Sequence, residues 1–272
     1  ANELASIMVR VHPEEAKAHA VYGDVLFQER KYPQAQESYK KALAINDQVY
    51  QIWEQLLRIE VSRGEFQQAI VDGDHALSIF PNQAALYLYT GIGYAQTQKH
   101  EKAITYSKSA LDLETDEKQI LIQIYSTMGD SYNSLKQFKE SDQAYTKALE
   151  LDSRNSYVLN NYAYYLSLRG ENLLEAEKMS RRSNELDPEN ASSEDTYAWI
   201  LFKLKKYAEA KTWIEKALQH NSKSSVQIEH YGDILYFLGE RDKALEQWKK
   251  AKEIGSRSET LDKKINEKKY ID

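Results

Sequence analysis

Cysteine is absent from this 272-residue chain, which excludes disulfides, thiolate nucleophiles and zinc–cysteine centres. Proline occurs four times and glycine ten times, too little turn chemistry for a β-rich protein and a composition that favours helices. No apolar run approaches the roughly 20 residues that span a bilayer. An excess of cations is missing as well. The chain has 36 Lys and Arg against 42 Asp and Glu, a net charge of −6 and a pI near 5.7. Nucleic acid is therefore not expected as a general partner, since phosphate binding needs a basic face.

Catalytic signatures are also missing. No Gly-rich phosphate loop, H-E-x-x-H or G-x-S-x-G occurs, and the carboxylates scatter over polar helix faces. The six histidines (12, 19, 75, 100, 220 and 230) share no register and read as structural or surface residues. The expectation is a non-enzyme with no metal and no cofactor.

What the chain does have is periodicity. Residues 191–224 read as two short amphipathic helices separated by a Lys205-Lys206 break. Tyr197, Ala198, Leu201 and Leu204 share one face of the first, and Ala210, Trp213, Ile214, Ala217 and Leu218 one face of the second. Neither helix buries that face alone, and the rest of the chain repeats the unit. Small or apolar residues recur at Gly23, Leu57, Gly91, Gly129, Ala163, Ala198 and Gly232, in steps of 34, 34, 38, 34, 35 and 34. Two further columns keep step: Ala35, Ala69, Ala103, Ser141, Ala176, Ala210, Ala244, and Ala42, Ala76, Ala110, Ala148, Ser183, Ala217, Ala251. Small columns mark helices that cross within about 8–10 Å. A fixed period of this length indicates stacked units that bury a shared core.

The pattern resembles the tetratricopeptide repeat (TPR) family over essentially the whole chain. Tyr94, Tyr132 and Leu201 fit its bulky column, Tyr39, Tyr145 and Trp248 its aromatic column, and Pro13, Pro81 and Pro188 its closing proline. The resemblance implies an all-α fold, a right-handed superhelical α-solenoid. Seven helix pairs are expected at 16–49, 50–83, 84–117, 122–155, 156–190, 191–224 and 225–256. Residues 1–15 read as the second helix of a preceding, truncated repeat, and 257–272 as a capping helix. Residues 118–121 are an insertion that lengthens a helix, Asn172 is a one-residue insertion in a turn, and Leu57 with Gly73 suggests an exchange of large for small within the second repeat.

The resemblance also implies a concave groove lined by the first helix of each pair. The residues that heat-shock-chaperone-binding members use to clamp an acidic carboxy-terminus are missing: Lys17 stands nearly alone beside Asp24 and Glu54. The later repeats instead supply Tyr157, Asn160, Tyr164, Asp195, Trp199, Phe202, Lys203, Asp233 and Tyr236. Rings beside carboxylates suit an extended segment or helix of a protein partner with apolar and basic side chains. A glycan stacked on the rings, or self-assembly, are the alternatives. The Lys-, Asn- and Tyr-rich, cysteine-free style resembles TPR proteins of the bacterial cell envelope, with the cytoplasm as the other compartment; the partner and the oligomeric state are not specified.

Overall fold

The computed structural model describes residues 1–113 and 115–271, and among the described residues all regular structure is helical. After α1 (Asn2–Val11) come seven pairs. They are α2 (Ala16–Gln28) with α3 (Tyr32–Ile45), α4 (Tyr50–Ser62) with α5 (Phe66–Ile79), and α6 (Ala84–Gln96) with α7 (His100–Asp112). Next come α8 (Lys118–Ser134) with α9 (Phe138–Leu151), and α10 (Ser156–Arg169) with α11 (Leu173–Leu186). Then follow α12 (Ala191–Lys203) with α13 (Tyr207–His220), α14 (Ser225–Phe237) with α15 (Arg241–Glu253), and finally α16 (Leu261–Glu267). The chain divides into two compact units, Ala1–Leu151 and Asp152–Asp272.

With so few glycines, most turns inside the pairs are made by ordinary residues. Arg30, Gln98, Lys136 and Lys205 take the left-handed conformation between the helices of their pairs, as Gly64 and Gly239 do in theirs. The next amide then closes the first helix, as in Lys31 N–H to Leu26 O, Gln137 N–H to Tyr132 O and Lys206 N–H to Leu201 O, each 2.9 Å. The turn between α10 and α11 uses two left-handed residues, Gly170 and Asn172, and so takes up its extra residue. The four residues added before the fourth pair extend α8 to 17 residues, where α2, α4 and α6 have 13.

Within three pairs the small column is a seat for a ring. A Cβ on Gly23 would lie 2.6 Å from Tyr39, one on Gly129 2.8 Å from Tyr145, and one on Gly232 2.5 Å from Trp248. Each ring lies 16 residues after its glycine, is fully or almost fully buried, and bonds through its polar tip to the aspartate that follows the glycine. Tyr39 Oη donates to Asp24 at 2.7 Å, Trp248 Nε1 donates to Asp233 at 2.9 Å, and Tyr145 Oη donates to Asp130. The second pair departs from this scheme. Leu57 is wholly buried in the core, and the atoms nearest to a Cβ on Gly73 all belong to Thr90 of α6. Gly73 thus makes room for the next repeat, so the expected exchange within one pair is replaced by a contact between pairs.

Alanine normally stabilises a helix interior relative to glycine by about 1 kcal/mol. Gly129→Ala is expected to do the opposite, losing about 1–3 kcal/mol because the ring of Tyr145 has nowhere to go. Urea denaturation checks the sign, and a midpoint that rises would contradict the ring-on-glycine account.

Candidate functional site

In the unit 152–271 the first helices α10, α12 and α14 adjoin one another as well as their own partners. The residues expected to form a partner site lie on these helices, but in unequal environments. Tyr157, in the first turn of α10, is 57% exposed. Tyr164 and Tyr236 are half-buried. Trp199, expected to face an open groove, is only 7% exposed, and Phe202, Asn160 and Asp195 are buried with it. The burial comes from neighbouring rings. Trp199 stacks on His230 at 4.2 Å and on Phe202 at 4.9 Å, with Lys203 Nζ 5.0 Å above its centre. Phe202 meets Phe237 edge-on at 5.3 Å, and Phe237 stacks on Tyr207 at 5.0 Å while remaining 41% exposed. The ring nitrogen of Trp199 and the carbonyl oxygen of Asn160 are buried without a hydrogen-bond partner.

The carboxylates of this face are committed to the fold. Asp195 lies 2.8 Å from His230 Nδ1. Burial alone would lower the imidazole pKa, but Asp195, with Asp233 and Glu229 behind it, outweighs that and holds His230 above its ordinary value. Asp233 is 1% exposed and receives both Trp248 Nε1 and Lys264 Nζ, the latter at 2.8 Å. Burial pushes its pKa up to about 6, against the pull of Lys264 and His230. Burial also acts to raise Glu229, but Lys264 at 2.9 Å overrides it and leaves that carboxyl below its usual range. Lys264, Tyr270 and His230 were not anticipated as part of this face. The signal was available in the spacing: His230 follows Asp195 by 35 residues and Lys264 follows Glu229 by 35, one more than the 34-residue step from Ala198 to Gly232.

Three of the other histidines are engaged in local contacts. His19 bonds to Pro13 O at 2.9 Å, His75 meets Trp53 edge-on, and His220 lies 2.7 Å from Glu194. In the unit 1–151 a cleft of about 560 Å³ lies between α2, α3 and α4, lined by Lys17, Ala20, Asp24, Gln51 and Gln55. Asp24 there is already held by Tyr39, which leaves Lys17 as the cation of the cleft.

The tetratricopeptide repeat model matches residues 16–48, 122–155 and 196–223. The chain is a tetratricopeptide repeat protein. It is 30% identical over 157 residues to the type IV pilus assembly protein PilF of Pseudomonas aeruginosa. That match covers 55% of this TPR chain and 58% of PilF, so the chain spans little more than half the length of this curated relative. The P. aeruginosa PilF structure superposes with a TM-score of 0.57 at 25% identity, over 65% of this chain and 79% of that one. A TPR protein from Parabacteroides merdae ATCC 43184 gives a TM-score of 0.68 at 20% identity, over 93% and 98%, a likeness of fold. TPR repeats typically serve as non-catalytic scaffolds for protein partners. Among the described residues no helix is long and apolar enough to cross a membrane.

Two predictions follow from burial. Trp199→Ala is expected to destabilise the fold by about 3–5 kcal/mol, whereas Tyr157→Ala and Phe237→Ala cost about 1 kcal/mol or less; denaturation midpoints separate the two classes. The second concerns Glu60 of α4, wholly buried with Lys40 Nζ at 3.0 Å and Gln36 Nε2 at 3.3 Å. Burial, reinforced by Asp72 and opposed by Lys40, pushes its pKa from 4.5 up to about 8. The folded state therefore binds more protons than the unfolded chain across that interval, and stability falls as pH rises through it. The thermal midpoint is expected to decline between those pH values in the wild type and to stay flatter in Glu60→Gln, and parallel profiles would contradict the shift.

Proposed function

We propose that this TPR protein is a non-catalytic scaffold that holds a segment of a partner protein on the first-helix face of α10, α12 and α14. The observation that carries the reading is the aromatic series Trp199, His230, Phe202 and Phe237 on that face. It lies outside the ring-on-glycine seats that pack the pairs, and it ends in an exposed ring. Tyr157 on α10 adds a second exposed ring to the same set of helices. Rings in partly desolvated surroundings are the usual anchors of protein interfaces, and their faces attract cations. Asp195, Glu229 and Asp233 already face His230 and Lys264, so the preference of this face for basic side chains rests on its rings.

An extended segment or a helix of the partner can present apolar and basic side chains to these rings. The assembly role in the name of PilF supports scaffolding in general and leaves the partner of this chain to chemistry.

Selection of a displayed random-peptide library on the full chain tests the reading. Enriched peptides are expected to carry aromatic residues with Lys or Arg. They should lose about tenfold or more in affinity, about 1.4 kcal/mol, against Tyr157→Ala combined with Phe237→Ala. Enrichment of acidic peptides, or binding indifferent to both substitutions, would sink the assignment.

A further inference from the structure

The segment that follows the last pair does two separable things. Leu261 and Ile265 close the apolar end of the stack against Ile228, Leu235 and Trp248. Lys264, only 4% exposed, places its ammonium between Glu229 and Asp233. It stands 35 residues after Glu229, the separation that also links Asp195 to His230. The end of the stack is covered at that point, yet the chain goes on. Lys268 takes a left-handed backbone, φ 50°, as Arg30, Gln98, Lys136 and Lys205 do in the turns of their pairs. Beyond that turn, Tyr270 lies on Phe202 and Phe237, with ring centres 5.7 and 5.1 Å apart, and Lys264 Nζ lies 5.3 Å from its own ring centre. Phe202 belongs to α12, one repeat before the pair that α16 covers, so closing the stack does not require this contact.

We infer that Phe202, Tyr207, Phe237 and Lys264 form a receptor for one aromatic side chain of the bound partner, and that Tyr270 occupies it in cis until a partner ring displaces it. The inference rests on the partner-binding reading above and adds its regulation: the face is closed by the protein's own chain at rest. Two features make the occupant exchangeable. Tyr270 comes from a short segment beyond the last helix, whose Lys268 and Lys269 are exposed. The receptor is not used up, because Phe237 stays 41% exposed with Tyr270 in place, so a longer segment entering at the pocket gains ring area that Tyr270 leaves uncovered. Ring–ring and ring–cation contacts supply the affinity of the pocket.

The test uses the full chain, wild type and Tyr270→Ala, with an acetylated peptide of residues 266–271 (Asn-Glu-Lys-Lys-Tyr-Ile) as probe, followed by NMR titration. Tyr270→Ala is expected to bind the peptide at least about tenfold more tightly than the wild type does. The gain should vanish when Phe237→Ala is added, or when the tyrosine of the peptide is replaced by alanine. Equal binding to both proteins, or binding to neither, overturns the inference. Thermal midpoints of the wild type and Tyr270→Ala within a few degrees of each other, on the order of 1 kcal/mol, establish that the cap remains folded; a larger loss assigns Tyr270 to the core and also overturns it. The library peptides separate the two readings. If they bind wild type and Tyr270→Ala equally yet still need Tyr157, the face stands and its self-occupation falls. If they need neither Tyr157 nor Phe237, the face itself is misassigned.

Discussion

Each unit of this protein depends on how closely two helices of a pair can approach, and in three pairs a ring laid on a glycine sets that distance. The ring brings apolar area, the glycine removes the Cβ that would hold it off, and the next residue, an aspartate, takes the polar tip of the ring. All three parts are needed. A buried Tyr or Trp without an acceptor would leave a donor unpaired at a cost of about 1–3 kcal/mol. The aspartate has a second consequence for function. Asp24, Asp130 and Asp233 share one register of the first helices, and their carboxylates serve the ring beneath them. A residue of the right type in the right register can therefore belong to the core.

Between pairs, polar links follow the period. Asp195 with His230 and Glu229 with Lys264 are 35 residues apart, the one joining α12 to α14 and the other α14 to α16. Gln36 with Glu65, Glu177 with Lys206 and Lys211 with Glu240 are 29 apart and tie a second helix, or its start, to the turn of the following pair. Their energetics differ. The exposed links contribute little in water. The Lys264 cluster is desolvated, so removing one partner strands a charge and costs far more than the intact pair contributes. The end of the last repeat is thereby tied to α16 through groups that have no good alternative partner.

The helix pairs were legible in the sequence because three columns of small residues at one period leave few arrangements open. The seats of Tyr39, Tyr145 and Trp248 were legible for the same reason, each 16 residues after its glycine. The candidate face was legible only in part. Trp199, Phe202 and Tyr157 stand on the expected helices, but nothing within residues 191–224 announces that Trp199 is covered. Its cover is His230, in the next repeat, and Phe202 is covered in turn by Tyr270, 68 residues away in sequence. Periodicity reports which face a residue occupies. It is silent about what a non-repeating segment lays over that face.

The two insertions in the array differ in size and in place, and helix geometry connects the two facts. Four residues amount to 1.1 turns of a 3.6-residue helix, so lengthening α8 by four carries its apolar stripe round by only about 40° and raises its start by about 6 Å. A single residue added inside a helix would swing the stripe by about 100° and point it at solvent. That lone residue instead sits between α10 and α11, where Gly170 and Asn172 absorb it with two left-handed steps. Growth of such an array is thus quantised: whole turns within helices, and any other length only where the backbone is free of phase.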